Sequence, residues 1–167
     1  MLMNSIEFDE MYRIVKETFE SDLKDNTLDF LLFLRSGFMN FTRIKGYWRN
    51  QFYWVVKYKD ECVCYILLNG KGDEKQFSPL TIWTDDSSSN WYENCQLNDE
   101  LSKSALKNID YCVHCGSCIG GTYKTVLGKG FDNVCRTVMK FTNPDEQEFR
   151  VIKELVKIRK CDIENNF

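Results

Sequence analysis

The chain holds a single histidine, His114, and that scarcity removes most nucleophilic catalysis at once. A Ser-His-Asp set, or a Cys-His pair away from residue 114, has no base to use. Only a pairing of His114 with a neighbouring cysteine survives, and residues so close in sequence rarely orient that way. Also missing is any apolar run near the roughly 20 residues that a bilayer crossing requires. Residues 1–10 carry acids where a secretory leader would place basic residues before an apolar stretch. The expectation is a cytoplasmic protein with no membrane partner. Basic residues are not in excess either: 22 Lys and Arg against 25 Asp and Glu give a formal charge of -3. Nucleic-acid binding calls for a clearly basic face, so no such partner is expected. No phosphate loop is present: Gly70-Lys71-Gly72 and Gly128-Lys129-Gly130 lack the spacing and the following helix of a nucleotide-binding turn.

What is there suits one globular domain. At 167 residues and 43% hydrophobic content the chain can bury a core without staples. Phe8, Met11, Tyr12, Val15 and Phe19 recur at helical spacing, predicting a helix over about residues 5–20 with Asn4 as its cap. Residues 28–34 are apolar throughout and read equally well as helix or strand. Alternation predicts a strand over residues 51–58, with Phe52, Trp54, Val56 and Tyr58 on one face. The polar turn Lys59-Asp60-Glu61 leads to a second strand over 62–68, apolar on both faces, on which Cys62 and Cys64 read as core residues. The loop 69–73 follows, and a third strand is expected over 80–84.

Asp85-Asp86-Ser87-Ser88-Ser89-Asn90 reads as a mobile, solvated loop, its paired carboxylates included. A helix over 98–108 capped by Asn98 then leads into a cysteine segment at 111–121. Strands over 122–128 and 134–141 are joined through Gly128-Lys129-Gly130. The last helix, 144–160, takes Asn143 as its cap and Pro144 as its first residue. Phe149, Ile152, Leu155 and Val156 form its buried stripe, and Lys157, Arg159 and Lys160 complement the dipole at its end. The predicted class is α+β: a single domain with a mostly antiparallel sheet of about five strands and three helices, the helices on one face.

The feature with the most chemical content is Cys112-Val113-His114-Cys115-Gly116-Ser117-Cys118. Two cysteines separated by two residues can grip one tetrahedral metal from a tight turn. A glycine after the second lets backbone amides face the sulfurs. A closed zinc site needs four ligands, and no C-x-x-C exists outside this segment. Cys118, His114 and Cys135, or Cys62 and Cys64, are the residues left to complete it. An iron–sulfur cluster is disfavoured because Ile119-Gly120-Gly121 stands where a ferredoxin-type fourth cysteine and proline belong. A redox dithiol is weakened by the absence of a following helix. Reduced thiols with no ligand complete the alternatives, and Cys95 and Cys161 are solitary.

Aromatic residues make up 14% of the chain, and Tyr47, Trp48, Phe52, Tyr53, Trp54 and Tyr58 crowd one stretch. Core filling accounts for most of them. One aromatic face can instead line a pocket for a flat or cationic molecule, with Glu61 or Glu93 as counter-charge.

The stretch from Tyr111 to Lys160 resembles the C-terminal part of a family of uncharacterised bacterial proteins. The residues that carry the likeness are Cys112-x-x-Cys115-Gly116, the run from Gly128 to Cys135, Phe141-x-Asn143-Pro144-Asp145 and the helix from Lys153 to Lys160. Tyr53-Trp54-x-x-Lys57-Tyr58 is similar to a less distinctive part of the same pattern. The resemblance implies an intact bacterial module, assigns no activity, and brings Cys135 beside the cysteine segment. In strand order the chain is also similar to GyrI-like ligand-sensing domains, an analogy of fold alone.

Three functions follow as expectations. The first is a small-molecule-binding module whose pocket is lined by Trp48, Trp54, Tyr58 and Trp83, with structural zinc on Cys112, Cys115, Cys118 and Cys135 or unliganded thiols there. The second is a thiol- or metal-dependent enzyme centred on Cys112, Cys115 and Cys118. The third is a protein–protein adaptor using the aromatic surface. The binding module is preferred, and oligomeric state has no signature in the sequence.

Overall fold

The computed structural model describes residues 5–44, 51–69, 79–116 and 118–166. Asn4, Tyr47, Trp48 and the loop 70–73 lie outside the described residues. The elements are α1 (Ser5–Thr18), α2 (Ser21–Ser36), β1 (Asn40–Ile44), β2 (Gln51–Tyr58), β3 (Glu61–Asn69) and β4 (Leu80–Thr84), then α3 (Asp99–Lys107), β5 (Ile109–Tyr111), β6 (Thr122–Val126), β7 (Lys129–Thr142) and α4 (Glu146–Asn165). The class is α+β. Seven strands form one antiparallel sheet in the order β1-β2-β3-β4-β7-β5, with β6 also paired to β7.

The expected five strands and three helices become seven and four among the described residues. The apolar run 28–34 belongs to α2, whose buried Thr27, Phe30, Leu31 and Leu34 repeat at helical spacing. Its period is hidden in sequence because Leu32 is apolar yet half-exposed on the outer side. The expected single helix over 5–20 ends at Thr18, and Ser21 with φ +50° lets α2 set off in a new direction. β1 shows no alternation, its apolar Phe41 and Ile44 lying three residues apart, and β5 has only three residues.

Two turns follow hairpin chemistry closely. Lys59 and Asp60 (φ +47° and +66°) join β2 to β3, and Leu127 and Gly128 (φ +50° and +75°) join β6 to β7. Positive φ at both central residues is what the right-handed twist of the flanking strands demands. Lys129 and Gly130 therefore belong to β7 and not to the turn.

Register assigns the two faces of the sheet. Phe41, Val56, Trp54, Ile66, Cys64, Ile82, Leu68, Leu80 and Phe141 are cross-strand neighbours on one side. They form the core with Phe8, Met11, Phe30, Leu34, Phe149 and Ile152 of the helices. Val55 and Leu67, on the other face, are buried outside that cluster. A bulge in the β2–β3 ladder, where Val56 pairs Cys64 but Lys57 pairs Cys62, breaks the alternation. Cys62 is therefore half-buried while Cys64 is in the core. No helix among the described residues is long and apolar enough to cross a membrane.

The cap of α4 is Asp145, not Asn143. Asp145 accepts the amide of Glu148 at 2.8 Å, and the Glu148 carboxylate accepts the amide of Asp145 at 3.0 Å, a complete capping box. Asn143 instead exchanges hydrogen bonds with Leu80: its side-chain oxygen accepts the Leu80 amide at 3.0 Å and its own amide donates to Leu80 O at 2.9 Å. Asp145→Ala is expected to lower stability by about 1 kcal/mol, read as a lower urea midpoint. An unchanged midpoint would mean that packing alone holds the helix start.

Candidate functional site

α4 carries an arginine on its apolar stripe. Phe149, Ile152, Leu155, Val156, Arg159 and Ile163 are all buried, and a guanidinium in that row must find an anion. It finds Asp85. The chain leaves β4 at Thr84 and places the Asp85 carboxylate 3.3 Å from Arg159 Nε, with side-chain exposures of 2% and 4%. Asp85 is held from the other side as well. Trp91 Nε1 donates to Oδ1 at 2.7 Å, the Ser87 amide donates to Oδ2 at 3.3 Å, and the Ser87 hydroxyl also donates to Oδ2. Burial nevertheless raises the Asp85 pKa above the ordinary carboxylate value, outweighing the opposing Ser87, Arg159 and Trp91 contributions.

Acceptors occupy Arg159 Nε and Nη1 but not Nη2. Nε also donates to Cys62 O at 3.1 Å, Nη1 donates to the Asp162 carboxylate, and Nη2 faces Glu61 Oε2 at 3.7 Å. Ser89 Oγ donates to Asp162 at 2.8 Å, and Asn166 Nδ2 donates to Asp162 O and Oδ1 at 2.8 and 3.2 Å. Over this floor opens a cavity of about 220 Å³, walled by Glu61, Ser87, Ser88, Ser89, Ile163 and Asn166. The segment expected to be solvated thus packs over a buried ion pair, and Asp85 is no surface carboxylate. Arg159, read as a dipole partner at a helix end, instead lies inside a helix that continues to Asn165.

Strain sits next to this floor. Val138 adopts φ +59°, a conformation that a β-branched residue rarely accepts. Thr84 Oγ1 compensates by accepting the Met139 amide at 3.1 Å and donating to Thr137 O.

No protein-family profile, curated protein or solved structure matches this chain.

Trp54, Tyr58 and Trp83, the described members of the expected pocket, lie in three separate places. Trp54 is 0% exposed in the helix-side core, while Trp83 lies on the opposite face. There Tyr53 stacks on Tyr65 at 5.8 Å and meets the Trp83 ring edge-on at 6.0 Å. Tyr65 donates to Asp86 at 2.8 Å, and Lys140 sits 5.7 Å from the Trp83 ring. Burial raises the phenol pKa of both tyrosines. Tyr58 belongs to a third place: it donates to Glu164 at 2.7 Å and lies under the Lys160 ammonium at 4.6 Å. Trp48 lies outside the described residues. The space beside Trp83 and Trp91 is only about 10 Å³, room for one water and no ligand.

A wider groove of about 520 Å³ runs between Phe33, Leu97, Leu101 and α4. Its charged rim is internally neutralised by Arg150–Glu146 at 2.8 Å, Lys157–Glu154 at 2.6 Å and Lys153–Asp29. Such exposed pairs recruit little.

The cysteine loop begins on a firm staple: Cys112 N donates to Asn133 O at 2.8 Å and Asn133 Nδ2 donates to Cys112 O at 3.1 Å. A Cβ on Gly121 would come within 2.7 Å of the Asn133 backbone, so only glycine lets the loop return this close. His114 (φ +54°) donates its amide to Cys112 Sγ, and Gly120 (φ +111°) donates to Cys118 Sγ, each at 3.4 Å. Cys112 is buried, Cys118 and Cys135 are half-buried, and Cys115 is exposed. Among the described residues no three cysteine, histidine or carboxylate side chains converge to hold one ion. The four cysteines expected to bind zinc are therefore not assembled as a ligand set. Burial pushes Cys62 up to about 12 and Cys95 up to about 11, and it raises the Cys64 thiol well above its ordinary value.

Asp85 and Arg159 were the residues missed by sequence. The available signal was Arg159 itself, which falls one turn after Leu155 and Val156 and one before Ile163 on the apolar stripe of α4.

Proposed function

We propose that this protein is a small-molecule-binding module whose ligand seat is the polar cavity over Arg159 and Asp85. The observation that carries the reading is the buried Arg159 at the floor of an open cavity, held in place from behind by its ion pair with Asp85. Stability alone does not call for such a pair, since well-packed apolar residues of similar volume serve a core as well or better. A rigid, pre-paired polar floor is what orients a bound ligand. Trp91 donates to Asp85, so occupancy of the cavity is expected to alter Trp91 emission. A screen of small polar metabolites should find a saturable fluorescence change that is lost in Trp91→Phe. Silence across the screen, or a change that persists in Trp91→Phe, would sink the reading.

A second reading, a thiol or zinc centre in the cysteine loop, is favoured by the amides aimed at Cys112 and Cys118 sulfur. Such donors are what a metal-bound or free thiolate uses. Alkylation near neutral pH separates it from an inert loop, because Cys115 and Cys161 are both exposed. A reactive centre requires Cys115 to label far faster than Cys161, and equal rates end that form of it. The zinc form requires about one zinc per chain, with Cys112, Cys115 and Cys118 protected until a chelator is added. Cys62, Cys64 and Cys95, held as thiols by burial, are expected to label last in either case.

A further inference from the structure

Resting on the cavity as the ligand seat, we infer that the ligand is uncharged where it docks and presents an amide edge: a carbonyl oxygen to Arg159 Nη2 and the adjacent N–H to Glu61. The Arg159 side chain is 4% exposed and lines the cavity. Its Nε and Nη1 are taken by Cys62 O, Asp85 and Asp162, while Nη2 makes no hydrogen bond among the described residues. A buried charged donor without an acceptor is unfavourable, and an oxygen brought in by a ligand relieves it.

Glu61 supplies the other half. Its Oε2 stands 3.7 Å from Nη2, beyond hydrogen-bond distance but close enough for one planar group to reach both. The Glu61 side chain accepts no hydrogen bond among the described residues and is half-exposed. The wall thus sets an unmet donor beside an unmet acceptor. An amide carries the complement, a carbonyl acceptor next to an N–H donor. The Ser88 hydroxyl, also unengaged among the described residues, can serve either side.

Charge separates the amide from ionic ligands. Asp85 and Asp162 already meet the charge of Arg159, and an anionic oxygen on Nη2 would in addition lie against Glu61. An ammonium satisfies Glu61 but faces the guanidinium and leaves Nη2 without an acceptor. A zwitterion can reach both groups, yet it must give up the hydration of two full charges. The neutral edge makes both hydrogen bonds without that loss.

The test uses the full chain labelled with nitrogen-15 and follows the backbone amides of Ser87, Ser88 and Ser89. Four probes that share a carbon chain are titrated: butanamide, butanoate, butylammonium and the zwitterion α-aminobutanoate. Butanamide is expected to shift these amides saturably, with the other three about fivefold weaker or worse. Glu61→Ala, at a half-exposed position, should weaken butanamide about fivefold and strengthen butanoate, while the unfolding midpoint stays put. If butanoate, butylammonium or aminobutanoate moves the amides as well as butanamide does, the ligand class is overturned and the cavity remains a seat. If no probe moves them, both this inference and the cavity reading fall. If Glu61→Ala shifts butanamide and butanoate in the same direction, or neither, the pairing of Nη2 with Glu61 is overturned while the seat stands.

Discussion

Arg159→Met is expected to destabilise the protein by about 3–5 kcal/mol, the range seen when one partner of a buried ion pair is removed. The methionine fills much of the same space, so lost packing is a small part of the effect. The larger part is Asp85, left buried beside an apolar chain, and Asp162, stripped of its closest cation. Urea unfolding at neutral pH measures it. A loss below about 1 kcal/mol would place the pair in the class of solvated surface bridges and remove the reason for treating the floor as preorganised. The double variant Arg159→Met/Asp85→Leu decides what the pair does for stability. Removing both charges is expected to recover most of the loss, since no charge is then left unpaired on that floor. A pair that the fold can lose so cheaply, but that single removal breaks so badly, is one kept for its geometry.

Trp54→Ala is the second large effect, about 3–5 kcal/mol by the usual cost of emptying a large aromatic from a core. Trp54 is 0% exposed and lies between Ile66 and Arg43 in the ladder, with the Arg43 guanidinium 5.8 Å from its ring. The neighbouring strands are too tightly registered to collapse into the void. A thermal or urea midpoint reads the loss, and a cost under about 1 kcal/mol would mean that the site had opened to water instead. The milder Trp54→Phe is expected to leave any ligand-dependent change in Trp91 emission intact, because Trp54 faces the helices and not the cavity. Loss of that change in Trp54→Phe would return Trp54 to the binding surface.

The two results bear on how a sequence announces a site. Trp54 attracts notice because it is aromatic in an aromatic stretch, yet its alternation with Val56 assigns it to the core. Tyr58 obeys the same alternation and still ends at the helix terminus beside Glu164, because the bulge between Val56 and Lys57 turns the strand end. Asp85 attracts little notice, since a carboxylate followed by serines is the usual composition of a solvated loop. Its burial depends on Trp91 folding back over it and on Arg159 approaching from the far end of the chain.

Local rules carried what local chemistry governs. Alternation marked β2, a run apolar on both faces marked β3, the polar turn Lys59-Asp60-Glu61 marked the hairpin between them, and the stripe from Phe149 to Val156 marked α4 with its inward face. Asn98 accepts the Leu101 amide at 2.9 Å as the cap of α3, the role expected of it from sequence. These features follow from period, propensity and capping, which act within a few residues and are therefore written in the chain. The short β1 and β5, the bulge that splits Cys62 from Cys64, the shift of the α4 cap from Asn143 to Asp145 and the Arg159–Asp85 floor are different. Each depends on which distant segment arrives to satisfy a backbone or a charge, and that partner is chosen only when the sheet closes and the helices settle on it.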